Sequence, residues 1–326
     1  MRRREFAILL GSAVTLWPRT VRAQQPAMPV IGLLASNSAA DFEPFVPAFR
    51  KGLEELDLFE GRNVRIESRW ANGHYDRLPG LAAELVRIPV AVLVATGVTA
   101  ALAAKASTTT IPIVFHTGGD PVKFGLVASL GKPGGNVTGV VSLNKVLVPK
   151  QLELLHELVP KAKVITFLVN PTNGVVGFDT SNMREAAQAK GLGLQIVEAR
   201  NATEIDTAFT SLLRRRASAL VVQVDPFLEG QHEQLARLAA RHGVPAMAAY
   251  PEFAAAGGLI SYGTSRADAY RLEGNYAGRV LKGERPADLP VQQSVKTELV
   301  INLKTAKALG VTVPSSLLLR AEQIIQ

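Results

Sequence analysis

Two successive sets of four apolar segments, each segment followed by a stretch of helical period, constrain this chain more than any other feature. The segments begin near residues 30, 63, 90 and 111, and again near 163, 194, 219 and 244. As strands they read Val30–Ala35, Val64–Ser68, Val90–Ala95, Ile111–Phe115 and Val137–Val141, then Val164–Val169, Leu194–Glu198, Ala219–Val224, Val244–Ala248 and Leu259–Tyr262. They are rich in Val, Ile and Leu and mostly continuous rather than alternating, as in a parallel sheet covered on both faces. Between them Phe45, Phe49, Leu53 and Leu56 fall every three or four residues, one face of a helix, and residues 150–158, 181–189, 204–215 and 231–241 behave likewise. Alternation of this kind predicts an α/β chain of two doubly wound, Rossmann-like lobes with a ligand cleft between them. At 326 residues the chain has the length for two such units. The first is expected over 28–142 and the second over 143–256. Residues 257–290 carry a strand and a helix with no place in the second repeat, and are expected to return to the first lobe.

The N-terminus has a different character. Arg2, Arg3 and Arg4 precede a short apolar run, Ala7 to Trp17, and Val21-Arg22-Ala23 offers a cleavage site. This is the layout of a cleavable export signal over residues 1–23, and Arg3-Arg4-Glu5-Phe6 fits a twin-arginine signal as well as a general one. Removal takes away five of the 36 Lys and Arg and one of the 28 Asp and Glu, which lowers the formal charge from +8 to +4. The basic character thus belongs largely to the leader. The largest later cluster, Arg214-Arg215-Arg216, ends a helical stretch where cations complement the helix dipole. Nucleic-acid binding, which needs a broader basic face, is not expected. There is no cysteine, which excludes disulfides, thiolate metal sites and lipid attachment, and the five histidines are scattered. No metal or cofactor is expected.

In open α/β sheets ligands bind beyond the carboxyl ends of the strands. Those positions hold Ser36 and Asn37, then Thr96, Gly97 and Thr99, then His116, Thr117, Gly118 and Asp120 in the first lobe. In the second they hold Asn170, Asp225 and Tyr250. Thr96-Gly97 and Thr117-Gly118 precede helical stretches, where backbone N–H groups and a hydroxyl suit an anion; capping alone would use the same residues. Asp225 ends an apolar strand, where its carboxylate can meet an ammonium or cap the turn at Pro226. The Gly-rich stretch after Phe115 is not a P-loop: five residues separate Gly125 from Gly131, and Lys132 precedes proline. No G-x-S-x-G elbow occurs, so no catalytic residue is assigned.

The runs IPIVFHTGGDPVKFGLVASLGKPGGNVTGV, KQLELLHELVPKAKVITFLVNPTN and GGLISYGTS, with the C-terminal KGERPADLPVQQSVKTELVINLKTAKALGVTVPSSLLLRAEQII, are long and specific. From about Pro29 onward the chain resembles the ABC-transporter substrate-binding proteins of the tryptophan/phenylalanine-binding type. The resemblance implies a type I periplasmic binding protein fold, with 291–326 returning to the second lobe, and a monomer that delivers a small molecule to an inner-membrane ABC permease. It implies that Ser/Thr hydroxyls and N–H groups of the first lobe hold an α-carboxylate and that an acid of the second holds the ammonium, roles open to Thr96, Gly97, Thr117 and Asp225. His116 in such a place would favour a different anion. Without cysteine the protein is expected free in the periplasm rather than lipid-anchored. The competing readings are an exported α/β enzyme acting on a small carboxylate and the effector-binding core of a transcription regulator.

Overall fold

The computed structural model describes residues 28–214 and 218–326. The expected leader, and Arg215 and Arg216 of the arginine cluster, lie outside the described residues. Thirteen strands form among the described residues: β1 (Val30–Ala35), β2 (Arg65–Trp70), β3 (Val92–Thr96), β4 (Ile113–Thr117), β5 (Val137–Ser142), β6 (Val164–Val169), β7 (Gly193–Glu198), β8 (Ala219–Val222), β9 (Ala246–Ala248), β10 (Ile260–Thr264), β11 (Gln292–Ser294), β12 (Thr297–Asn302) and β13 (Gln323–Ile325). They make two sheets, ordered β11-β5-β4-β3-β1-β2 and β13-β12-β10-β9-β8-β6-β7. Every pairing in the first is parallel; in the second only β10 with β12 is antiparallel.

The continuous apolar strands have the physical outcome their composition demands. Each sheet is covered on both faces, and each face carries its own apolar cluster. Leu34, Leu93, Ile113 and Phe115 meet the helices Leu78–Arg87 and Val98–Ser107, while Ile31, Leu33, Val92 and Val114 meet Val46–Glu54 and Arg266–Leu281. In the second lobe Ile165, Phe167 and Val221 face Val148–Leu158 and Val176–Ala189, and Leu168, Leu220 and Val222 face Ala202–Arg214 and His232–Arg241.

The strand in LISYG does not return to the first lobe, as expected of residues 257–290. It is β10, in register with β9 through Ile260↔Met247 and with β12 through Ile260↔Ile301. The reason is burial: Leu259 and Ile260 join Leu299 and Ile301 in the second-lobe core. The helix Arg266–Leu281 alone then packs on the first sheet. It crosses Val46–Glu54 so closely that a Cβ on Gly52 would lie 1.9 Å from Arg271 O, and one on Gly274 2.1 Å from Phe49 O. After it β11 pairs with β5, so the chain stays with the first sheet to Ser294, beyond the expected boundary at 290.

The chain therefore passes between the sheets three times, after Ser142, after Thr264 and after Ser294. The crossings lie side by side. Ser142 is in register with Ser294 and Thr264 with Thr297, Ser265 N donates to Lys296 O (2.8 Å), and Thr264 N donates to Asn144 Oδ1 (2.8 Å). Among the described residues no helix is long and apolar enough to cross a membrane.

Candidate ligand-binding site

The carboxyl ends of β1, β3 and β4 face those of β6, β8 and β9 across an inter-lobe cavity. Its first-lobe wall begins with Gly97, the N-cap of helix Val98–Ser107. Gly97 has φ +99°, a left-handed conformation that favours glycine, and offers the helix no side-chain cap. The first-turn N–H groups at Val98 and Thr99 accordingly have no acceptor within the helix, and the positive end of its dipole points into the cavity. Ser36 lies beside it: its hydroxyl is buried, has no hydrogen-bond partner, and would be 2.9 Å from a Cβ on Gly97. Asn37 Oδ1 and His116 Nδ1 are also buried and unpartnered. His116 Nε2 is 2.8 Å from Ser142 Oγ at the first crossing, and the ring meets Tyr270 edge-on with centroids 5.2 Å apart. Burial, with the charge of Arg266 adding to it, holds this imidazole down to about 4. It is neutral at pH 7. No carboxylate meets Nδ1, so His116 and Ser142 do not form a nucleophile triad.

Thr96 also lines the cavity, and its Oγ1 lies 3.1 and 3.3 Å from the two carboxyl oxygens of Glu273, a fully buried residue of helix Arg266–Leu281. Burial pushes this carboxyl up to about 8, with Thr96 opposing the shift.

Between the lobes stands Arg266. Its guanidinium is 4.2 Å from the Phe45 ring of the first lobe and 4.8 Å from the Tyr250 ring of the second, a cation between two aromatic faces. Glu229 and Glu252 approach it to 3.9 and 3.8 Å, beyond direct hydrogen bonds. Glu229 reaches the cavity; burial pushes it up to about 7 against the pull of Arg266, with Asp225, Glu252 and Asp41 raising it further. Tyr250 forms part of the far wall with Val175, Val224 and Pro226, and its Oη accepts from Asn144 Nδ2 (2.8 Å) at the first crossing.

Of the residues the sequence singles out, Ser36, Asn37, Thr96, Gly97, Thr99, His116, Gly118 and Tyr250 are brought together around the cavity. Four are placed elsewhere. Thr117 is buried and donates to Gly119 O (3.1 Å). Asp120 caps a turn through Val122 N and Lys123 N. Asn170 accepts from Thr172 and donates to Asp225. Asp225 itself is fully buried and its carboxylate is already shared among Tyr75 Oη (2.5 Å), Asn173 Nδ2 (2.8 Å), Leu228 N (3.0 Å) and Asn170 Nδ2 (3.3 Å). The expected ammonium holder is thus a clasp to Tyr75 of the opposite lobe. The sequence reading missed Glu229, one helical turn beyond Asp225, and Arg266 and Tyr270. Arg266 lies two residues past the end of β10, after Ser265, so the strand-end rule applied there would have found it.

The description ABC transporter substrate binding protein fits residues 39–325 as a family model. The chain is similar to a tyrosine-binding protein of Clostridioides difficile (strain R20291), 28% identical over 261 residues that cover 80% of this chain and 75% of the relative. It is also similar to the solved structure of an ABC domain from Streptococcus pneumonia in complex with L-Trp, at 26% identity and TM-score 0.83, covering 91% of this chain and 99% of that one. With the ligand-free, open structure of a substrate binding protein from Clostridium difficile, at the same 26% identity and coverage, the TM-score is 0.66. Fold, inter-lobe cavity and these likenesses agree: the chain belongs to the ABC transporter substrate-binding protein family, whose members bind small molecules and work with membrane permeases.

Proposed function

We propose that the protein closes its lobes on one small carboxylate of amino-acid size, with the carboxylate against the N-terminus of helix Val98–Ser107 and Ser36 Oγ. The observation that carries this reading is the buried, unpartnered Ser36 hydroxyl beside an uncapped helix N-terminus in the inter-lobe cavity. Backbone N–H groups, a hydroxyl and a helix dipole suit an anion and need no cation. The ligand's amine lies toward Glu229, the acid that reaches the cavity once Asp225 is committed to Tyr75. Tyr250, Tyr270, Val175 and Val224 supply an apolar wall, and the names of the relatives above favour an aromatic amino acid. The nearer likeness to the L-Trp complex than to the open structure supports reading this arrangement as the closed one. The protein acts as a periplasmic receptor, exported by its leader, monomeric, without nucleic acid and without chemistry on its ligand.

Thermal unfolding of the purified protein against L-tryptophan, L-tyrosine, other amino acids and their deaminated acids tests the reading. A ligand at about 100 times its Kd adds roughly 2.7 kcal/mol and raises Tm visibly. Shifts with no carboxylate on the panel, or turnover of one, would count against it.

A further inference from the structure

Glu273 has no part in the scheme above, yet it touches the cavity wall. It is fully buried, and both its oxygens face a single hydroxyl, Thr96 Oγ1. No ion pair reaches it among the described residues. Of the titratable groups, Tyr270 on its own helix feels its charge, while Arg266, His116 and Glu229 line the same cavity as Thr96 and none of them pairs with it. An ionised carboxylate in such a place, with one donor and no cation, is strongly disfavoured, so the group is held as the neutral acid.

We propose that Glu273 sets the hydrogen-bonding polarity of Thr96. As a neutral acid it donates its proton to Thr96 Oγ1, which frees the threonine hydroxyl to donate into the cavity. As a carboxylate it takes that hydroxyl for itself. The inference rests on the carboxylate reading of the cavity. A threonine has one O–H to give. With Glu273 protonated, that O–H meets the ligand's carboxylate in a charge-assisted bond. With Glu273 ionised, Thr96 presents only lone pairs to an anion, and a second negative charge lies behind it. Glu273 is a positioning residue: it acts on the ligand through Thr96. The site therefore favours carboxylates most while this acid keeps its proton, and its high setting, about 8, allows this at neutral pH.

Calorimetry of L-tryptophan binding from pH 6.5 to 9, on the wild-type protein and on Glu273→Gln, tests this. Glutamine keeps the shape and keeps a donor toward Thr96 at every pH. Wild-type affinity is expected to fall about tenfold above pH 7.5, the cost of one hydrogen bond turned around, and Glu273→Gln to lack that fall. Ionisation of Glu229 near 7 strengthens binding of an amine and appears as a rising limb in both proteins. The ligand's own amine is common to both and cancels. An infrared carbonyl band of a protonated carboxyl, present at pH 7, lost through pH 8 and missing from Glu273→Gln, gives a second readout free of ligand. Superimposable affinity profiles, or no acid band at pH 7, overturn the switch alone. Failure of L-tryptophan and of every other carboxylate of the panel to bind at any pH brings down the carboxylate reading and the role of Thr96 with it.

Discussion

The phenol of Tyr75, from the first lobe, donates to the carboxylate of Asp225, from the second, over 2.5 Å. Both groups are buried, and Asp225 collects three further donors from its own lobe. This bond exists only while the lobes are together. Tyr75→Phe is therefore expected to weaken the closed arrangement by about 1–3 kcal/mol, the cost of leaving a buried acceptor short of a donor. Ligand affinity falls roughly 10- to 100-fold by the same amount. Small-angle scattering at saturating ligand then shows a larger radius of gyration in the variant whenever the fraction closed drops. An unchanged Kd would show that the clasp is not part of closure.

Ser36→Ala separates binding from stability. The hydroxyl has no partner in the protein, so its loss removes a buried orphan rather than a bond. The unliganded Tm is expected to stay level or rise, while affinity for a carboxylate drops about tenfold. Melting curves with and without ligand report both quantities in one experiment.

Glu229→Gln should discriminate between ligands. If the amine lies on Glu229, the variant loses about tenfold or more for L-tryptophan and little for indole-3-propionate, which lacks the amine. Equal losses for the two compounds would return Asp225 or another group to that role.

His116 makes stability depend on acid. Its imidazole is held at about 4 in the folded protein against an ordinary value near 6.5, so the unfolded chain takes up the proton first. The contribution is complete above pH 6.5 and is lost as pH falls toward 4. By pH 5 the loss is about 2 kcal/mol. Urea denaturation of the wild-type protein and His116→Gln at pH 5 and 7 checks the sign: the difference between the two pH values shrinks in the variant.

The crossing of helices Val46–Glu54 and Arg266–Leu281 has no room for a methyl group. Gly274→Ala sets a Cβ against Phe49 O and is expected to cost at least about 2 kcal/mol by overpacking. Because Arg266 and Tyr270 stand on the displaced helix, affinity should fall alongside the urea midpoint.

Most of the fold is legible in the sequence because parallel strands buried on both faces are continuous apolar runs, and β1, β3, β4, β6 and β8 are all of that kind. The return of β10 to the second sheet was not. Leu259 and Ile260 suit either core, and only the partners Leu299 and Ile301, some forty residues on, decide the matter. Gln292–Ser294 is polar and three residues long, with no period to read. In the site, eight of the twelve candidates picked by the strand-end rule line the cavity. The rule placed Asp225 at the cleft because position marks an acid as near it but cannot show that Tyr75, 150 residues earlier, already donates to that carboxyl.

The three crossings lie edge to edge, Ser142 by Ser294 and Thr264 by Thr297, with Asn144 joining the first to the second and to Tyr250 in the cavity wall. A single tether would let one lobe swivel freely over the other. A band three chains wide resists twisting and sideways slip and leaves mainly a bend. The gap between the two lobe tips then carries nearly all the information about whether the cavity is filled. A permease gripping both tips needs only to act as a calliper, telling loaded receptors from empty ones by one length and without touching the solute.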